Sequence, residues 1–169
     1  MMIYLEKNSS LRENQEKDEF MNDIEVTKKS LNELLTSQKL AVLSTSSEGN
    51  SYASLVAFAA TGDMKELIFA TARATRKYEK LSHNSHVAML IDSRSHHESD
   101  FHEAVAATAV GNAEEVQGPE KDKYLALYLK NHPHLIDFVK SPSCALIRVK
   151  VACYYFVSRF QNVVNIHIR

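Results

Sequence analysis

Apolar residues fall at helical spacing in a few short stretches of this chain, and elsewhere gather into runs of strand length. In DIEVTKKSLNELLTSQK, residues 23–39, Ile24, Leu31, Leu34 and Leu35 share one stripe, which predicts an amphipathic helix. The period then changes. LAVLST, SYASLVAFAAT and ELIFAT are strand-length runs separated by the turn signals SSEGN, with Gly49–Asn50, and GDMK, so they predict three strands in an antiparallel meander. TRKYEKLSHN returns to helical spacing, with Ala74, Tyr78 and Leu81 on one stripe and Asn84 near its end.

HVAMLID reads as the next strand. The polar loop SRSHHESD leads into FHEAVAATAVGNAEEV, which reads as one long strand through Gly111. GPEKDKYLALYLKNHP has Pro119 in a first helical turn and an apolar face of Tyr124, Leu127 and Tyr128, with Leu125 beside it. HLIDFVK predicts a second short helix that stops before Pro142. CALIRVKVACYYFVS and VVNIHI then close the chain as strands. Six or seven strands on short turns, interrupted by a few helices, predict a mainly β (α+β) antiparallel barrel with peripheral helices. Residues 1–22 are polar and read as an extension outside a single domain spanning residues 23–169.

Composition narrows the functional classes. The chain has 169 residues, enough for one full core. Lys and Arg number 20 against 21 Asp and Glu, so no overall field favours nucleic acid or a membrane surface, and any anion site must be local. No segment has the length and apolarity of a signal peptide or a membrane span, which predicts a soluble cytoplasmic protein. Cys144 and Cys153 have no metal-ligand spacing and read as small hydrophobes in strands. His96, His97, Glu98, His102 and Glu103 crowd one loop, but His97 and His102 lack the i, i+4 spacing of a helical metal pair, so a solvated loop is the expectation and no metal is expected. NHPHL, with His132 and His134 around Pro133, reads as a helix-ending turn. Tyr154 and Tyr155 must face opposite sides of a strand; alternation alone leaves open which one is buried.

ATARATRKYEKL carries the most chemistry. Arg73, Arg76, Lys77 and Lys80 crowd a joint between a strand and a short helix. Cations at a helix N-terminus oppose the macrodipole, at about 0.3–1 kcal/mol each when exposed. A solvated face is the plainer reading of such a cluster. However, Thr71 and Thr75 flank it, and the strand delivers them to a sheet edge. Free backbone N–H groups, a hydroxyl and two cations then form a cradle for a phosphate.

The order YASLVAF, ELIFATARATRKYEKLSHNSHVAMLID, AATAVGNAEEV resembles the FMN-binding split-barrel family typified by pyridoxamine 5′-phosphate oxidase. YLALYLKNHP and YYFVSRF are similar to the haem-utilisation branch of that superfamily, and the resemblance runs from about Leu31 to Ile166. It implies a six- to seven-stranded split barrel and a homodimer with FMN at the interface. Thr71 would touch the phosphate or ribityl region, Thr75, Arg76 and Lys77 would hold the phosphate, and Ser54, Leu55 and Val56 would lie along the flavin ring, largely through backbone groups. Two departures stand out. Ser54 replaces an arginine that the oxidases carry, and their C-terminal arginine segment has no counterpart, so oxidation of pyridoxamine phosphate is not implied. Arg159 stands where the haem branch has a glycine.

With no Ser/His/Asp or Cys/His set in view, any chemistry would belong to the flavin. The expected function is an FMN-dependent oxidoreductase acting on an unidentified small molecule. The alternative is a haem or flavin carrier without turnover, in which His167 would be an axial haem ligand by analogy.

Overall fold

The computed structural model describes residues 24–158 and 162–168; the N-terminal extension and Arg159 lie outside the described residues. Helix α1 (residues 24–37) precedes β1 (Leu40–Ser47), β2 (Asn50–Ala60), β3 (Glu66–Ala72), α2 (Arg76–His83) and β4 (His86–Asp92). The short α3 (Asp100–Glu103), β5 (Ala106–Glu115), α4 (Lys121–Asn131), α5 (Ile136–Lys140), β6 (Cys144–Ser158) and β7 (Asn162–His167) follow.

All neighbouring strands are antiparallel, in the order β3-β2-β1-β4-β5-β6-β7, and β3 also pairs with β6. That pairing closes a six-stranded barrel and leaves β7 as an extra strand along the second half of β6. Strand β6 is long enough to serve three neighbours: β3 along its first half, β5 along most of its length and β7 along its end. This is the split barrel that the strand count and the resemblance imply.

Short turns set the registers. Glu48 and Gly49 both adopt positive φ, 52° and 78°, so β1 and β2 join in the tight mirror-image turn that suits the twist of a hairpin. Within β5 the register slips between Val110 and Gly111. A Cβ at Gly111 would run into the carbonyl of Lys150, so only glycine allows the two strands to approach there.

Two apolar clusters sit on either side of β3. Leu67 and Phe69 face the barrel interior with Leu43, Phe58, Met89, Ile147 and Tyr154, and α1 inserts Leu31, Leu34 and Leu35 into the same core. Each such side chain contributes about 1.5–3 kcal/mol on burial. Ile68 and Ala70 face outward and are covered by Tyr124, Tyr128 and Val139 from α4 and α5. Burial on both faces explains why ELIFA reads as a continuous apolar run rather than an alternation.

The chain differs from the sequence expectation in two places, and settles one point that the sequence leaves open. Residues 100–103 form the helical turn α3 rather than the start of a long strand, because the Asp100 carboxylate accepts the N–H groups of Ser95 and His96 and the Ser95 hydroxyl and folds the loop locally. Those bonds, led by the Ser95 N–H, hold the Asp100 carboxyl below its ordinary range. Ala74 lies in the turn before α2, and only Tyr78 and Leu81 of its expected stripe pack against the barrel. At the end of β6, Tyr154 is the buried tyrosine and Tyr155 the exposed one.

Candidate functional site

Strand β3 ends at Ala72, and the chain turns through Arg73, Ala74 and Thr75 into α2. The turn is built from short hydrogen bonds. Thr75 Oγ1 donates to the Ala72 carbonyl at 2.8 Å, and the Thr71 and Thr75 hydroxyl oxygens lie 3.0 Å apart. Thr75 therefore spends its hydroxyl on the turn and makes no side-chain cap on α2. The first N–H of α2 with a helical acceptor is that of Glu79, bonded to the Thr75 carbonyl at 3.1 Å. The N–H groups of Arg76, Lys77 and Tyr78 precede it and belong to the turn of a helix that is left with free donors.

The four cations of the joint separate. Arg73 is engaged: its Nη1 donates to the carbonyls of Pro142 and Cys144 at 2.8 and 2.7 Å, and its Nη2 to Glu115. Arg76 stacks over the Tyr52 ring at 5.7 Å. Lys80 Nζ donates to the Asn50 carbonyl at 3.0 Å. Half-buried Lys77 makes no such contact among the described residues, and it borders a cleft of about 260 Å³.

That cleft runs from the joint along β2. Thr71, Thr75 and Lys77 line its polar end; Leu55, Val56, Ala57, Tyr128, Leu135 and Phe138 line the rest. Leu55 and Phe138 are 62% and 41% exposed, so the apolar wall opens outward at its rim. Tyr128 is 1% exposed and its phenol is pushed up to about 12 by burial, so it is protonated throughout the neutral range. Its ring lies 4.9 Å from that of His132, whose Nε2 is 2.7 Å from the Phe58 carbonyl; this contact fixes the end of α4 against β2 and assigns the proton to Nε2.

Five of the seven residues expected at the site therefore meet around one cleft: Leu55, Val56, Thr71, Thr75 and Lys77. The other two stand apart. Arg76 borders a second, polar cleft with Glu48, Asn50, Glu79, Lys80 and His83. Ser54 lies between the outward Leu55 and the outward Ala53, and its Oγ is buried without a hydrogen-bond partner. The sequence marks Tyr128, Leu135 and Phe138 only as residues of helical stretches. Their place in the wall depends on how α4 and α5 dock on β3, which no local pattern encodes.

A flavin mononucleotide needs anion donors at one end and a flat apolar wall beyond them. The free N–H groups of α2 and unpartnered Lys77 meet the first need, and Leu55, Val56, Leu135 and Phe138 meet the second. The residues present fit the group. Elsewhere, the His96–Glu103 loop does not gather ligands: among the described residues no group of three or more His, Cys, Asp or Glu side chains could hold a metal ion. His167 lies exposed on β7, opposite Cys153.

Fold and cleft together define a split-barrel protein whose cleft has its polar, cationic end at the β3–α2 joint. The chain belongs to the pyridoxamine 5′-phosphate oxidase family, whose profile matches residues 27–158. No curated protein sequence matches it significantly. Among solved structures it is similar to a haem-binding protein from Mycobacterium smegmatis, with a TM-score of 0.72 and 16% identity over 80% of this chain and 55% of that one. It is also similar to HutZ, the haem storage protein of Vibrio cholerae, with a TM-score of 0.63 and 16% identity over 72% and 87% of the two chains. A FAD-binding protein from Mesorhizobium loti gives a TM-score of 0.60 and 15% identity over 73% and 88%. The chain thus spans little more than half the length of the mycobacterial protein. At these identities the likeness shows the fold alone. Among the described residues no helix is long and apolar enough to cross a membrane.

Proposed function

We propose that this chain is an FMN-binding protein that works as a homodimer and carries out an oxidoreductase reaction on a small molecule. The observation that carries the reading is the polar end of the cleft. There the one unpartnered cation of the joint, Lys77, meets the free first turn of α2 and the Thr71–Thr75 hydroxyl pair.

The residues divide the work. Lys77 and the N–H groups of Arg76, Lys77 and Tyr78 bind and orient a phosphate. Leu55 and Val56 on β2 offer an edge against which a planar ring lies flat. Tyr128 holds its proton at the hydroxyl and offers a hydrogen-bond donor from the α4 wall, while Leu135 and Phe138 exclude water. A flavin bound there supplies hydride or single-electron transfer. The open rim at Leu55 and Phe138 supports a second copy as the cover that completes the cleft.

Titration of the purified protein with FMN and with riboflavin, each followed by flavin fluorescence, tests the reading. Binding of FMN at least about tenfold tighter than riboflavin is expected, because one charge-assisted contact is worth that much. Light scattering should give twice the mass of one chain. Equal affinity for the two flavins would remove the cradle, and a single-chain mass would remove the dimer.

A second reading is a haem carrier without flavin turnover. It is favoured by the exposed His167 on β7 and by the likeness in fold to the haem-binding protein of Mycobacterium smegmatis and the haem storage protein of Vibrio cholerae. A Soret band on adding hemin, lost in His167→Ala, would favour it over the flavin reading.

A further inference from the structure

Helix α2 has no fully buried residue, and its apolar contacts with the barrel are limited to the half-buried Tyr78 and Leu81. Apolar packing of that kind does not by itself fix the rotation of the helix about its axis. A phosphate held by three consecutive N–H groups tolerates little such motion, since those bonds weaken steeply with misalignment. Polar contacts must therefore set the first turn.

Beyond the threonine bonds within the turn itself, two of them meet at one carboxylate of the barrel. Glu115, the last residue of β5, is mostly shielded, with 19% of its side chain exposed. One of its oxygens accepts Arg73 Nη2, and the other accepts the Tyr78 hydroxyl at 2.7 Å. Residues 73 and 78 lie on either side of Thr75, Arg76 and Lys77, so the cradle segment is pinned at both ends by one side chain. Arg73 carries the pin onward: its Nη1 reaches the Pro142 and Cys144 carbonyls, and its own N–H reaches the Ser143 carbonyl at 2.9 Å. The start of α2 is thereby tied to the end of β5 and the start of β6, two parts of the rigid barrel. These contacts raise both partners' proton affinities: the Glu115 hydrogen bond holds the proton on Arg73 and, ahead of burial, on Tyr78.

We infer that Glu115 is the positioning residue of the cradle: through Arg73 and Tyr78 it holds the first turn of α2 where its N–H groups and Lys77 converge on a phosphate. The inference rests on the flavin reading above and adds a residue that touches no ligand. It also makes Arg73 a scaffolding residue, with its charge already met by Glu115.

Glu115 carries a negative charge close to an anion site. If its influence were electrostatic, Glu115→Gln would tighten FMN binding, since it removes a repulsion and releases Arg73. If it positions the turn, the same variant weakens FMN binding. Tyr78→Phe keeps the ring against the barrel and the Arg73–Glu115 pair intact, and removes only the second pin. It carries the test should Glu115→Gln not fold.

The experiment measures Kd for FMN and for riboflavin by fluorescence on wild type, Glu115→Gln and Tyr78→Phe. FMN should weaken roughly three- to tenfold in each variant, as expected for loss of a hydrogen bond to a charged group, while riboflavin stays within about twofold. Glu115→Gln binding FMN as tightly as wild type, or more tightly, would overturn the inference. So would an equal loss for both flavins, which marks a general folding role, or an unchanged Tyr78→Phe. A wild type that does not prefer FMN over riboflavin would overturn the phosphate cradle itself, and the inference with it; a wild-type preference kept in full by both variants overturns the positioning role alone.

Discussion

Of the four cations between residues 73 and 80, Lys77 alone has nothing to pair with among the described residues, and it is the one that lines the cleft. Its neighbour Arg76 lies over Tyr52 instead. The Arg–Lys pair is therefore unequal in its surroundings, although adjacent in sequence. Lys77→Ala should raise the Kd for FMN roughly 10- to 100-fold, and Arg76→Ala by no more than about threefold. Parallel titrations of the two variants check this; equal losses would show that Arg76 swings into the cradle. The cluster itself was legible in the sequence, because residue types and local spacing suffice to mark it. The division of labour was not. Arg73 is neutralised by a glutamate 42 residues further on, and contacts at that separation leave no periodic trace. Tyr128 was equally hidden: its position on an apolar helix face is visible, but not the cleft that the face closes.

Strands were the more legible elements, since β1, β2, β3, β4 and β6 have sharp turn signals at their ends. The beginning of β5 is not legible in the sequence, because FHEAVAATAV keeps strand-like apolarity while the Asp100 carboxylate folds the loop before it onto Ser95 and His96 and a helical turn follows. Helix α4 shows how an element is fixed by charge as well as by packing. Arg148 on β6 donates to the Tyr124 hydroxyl at 2.9 Å, lies 3.4 Å from carboxylate oxygens of Glu66 and Glu120, and pairs closely with Glu114. Burial opposes the charge on Arg148, but Glu114 and Tyr124 outweigh it and raise its proton affinity. Lys150 and then Arg148 hold the Glu114 carboxyl below its ordinary value of 4.5. A lowered folded-state value means that the unfolded chain binds the extra proton first. The contribution is thus present above about pH 4.5 and is lost as the pH falls through the folded value. Because Glu114 is nearly half exposed, the effect should stay within about 1 kcal/mol. Urea unfolding between neutral pH and pH 3 should show a shallower acid decline in Glu114→Gln than in wild type. Identical slopes would place the acid sensitivity elsewhere.

At the scale of the whole molecule, barrel closure joins distant parts of the chain into one site. The β3–β6 pairing sets Thr71 opposite Ala145, and the loop before β6 supplies the carbonyls that hold Arg73. Closure depends on register, which the strand count could suggest and could not specify. The same barrel leaves one wall of the cleft open at Leu55 and Phe138, which is where a second copy is proposed to sit. Family membership and fold do not choose between flavin and haem, so the choice proposed here rests on the local chemistry of the β3–α2 joint, where a free cation meets free N–H donors. The most direct measurement is the absorption spectrum of the purified protein, recorded alone, after adding FMN, and after adding hemin. The account predicts flavin bands that stay with the protein through gel filtration and are lost in Lys77→Ala. A Soret band with hemin together with no retention of FMN would contradict it.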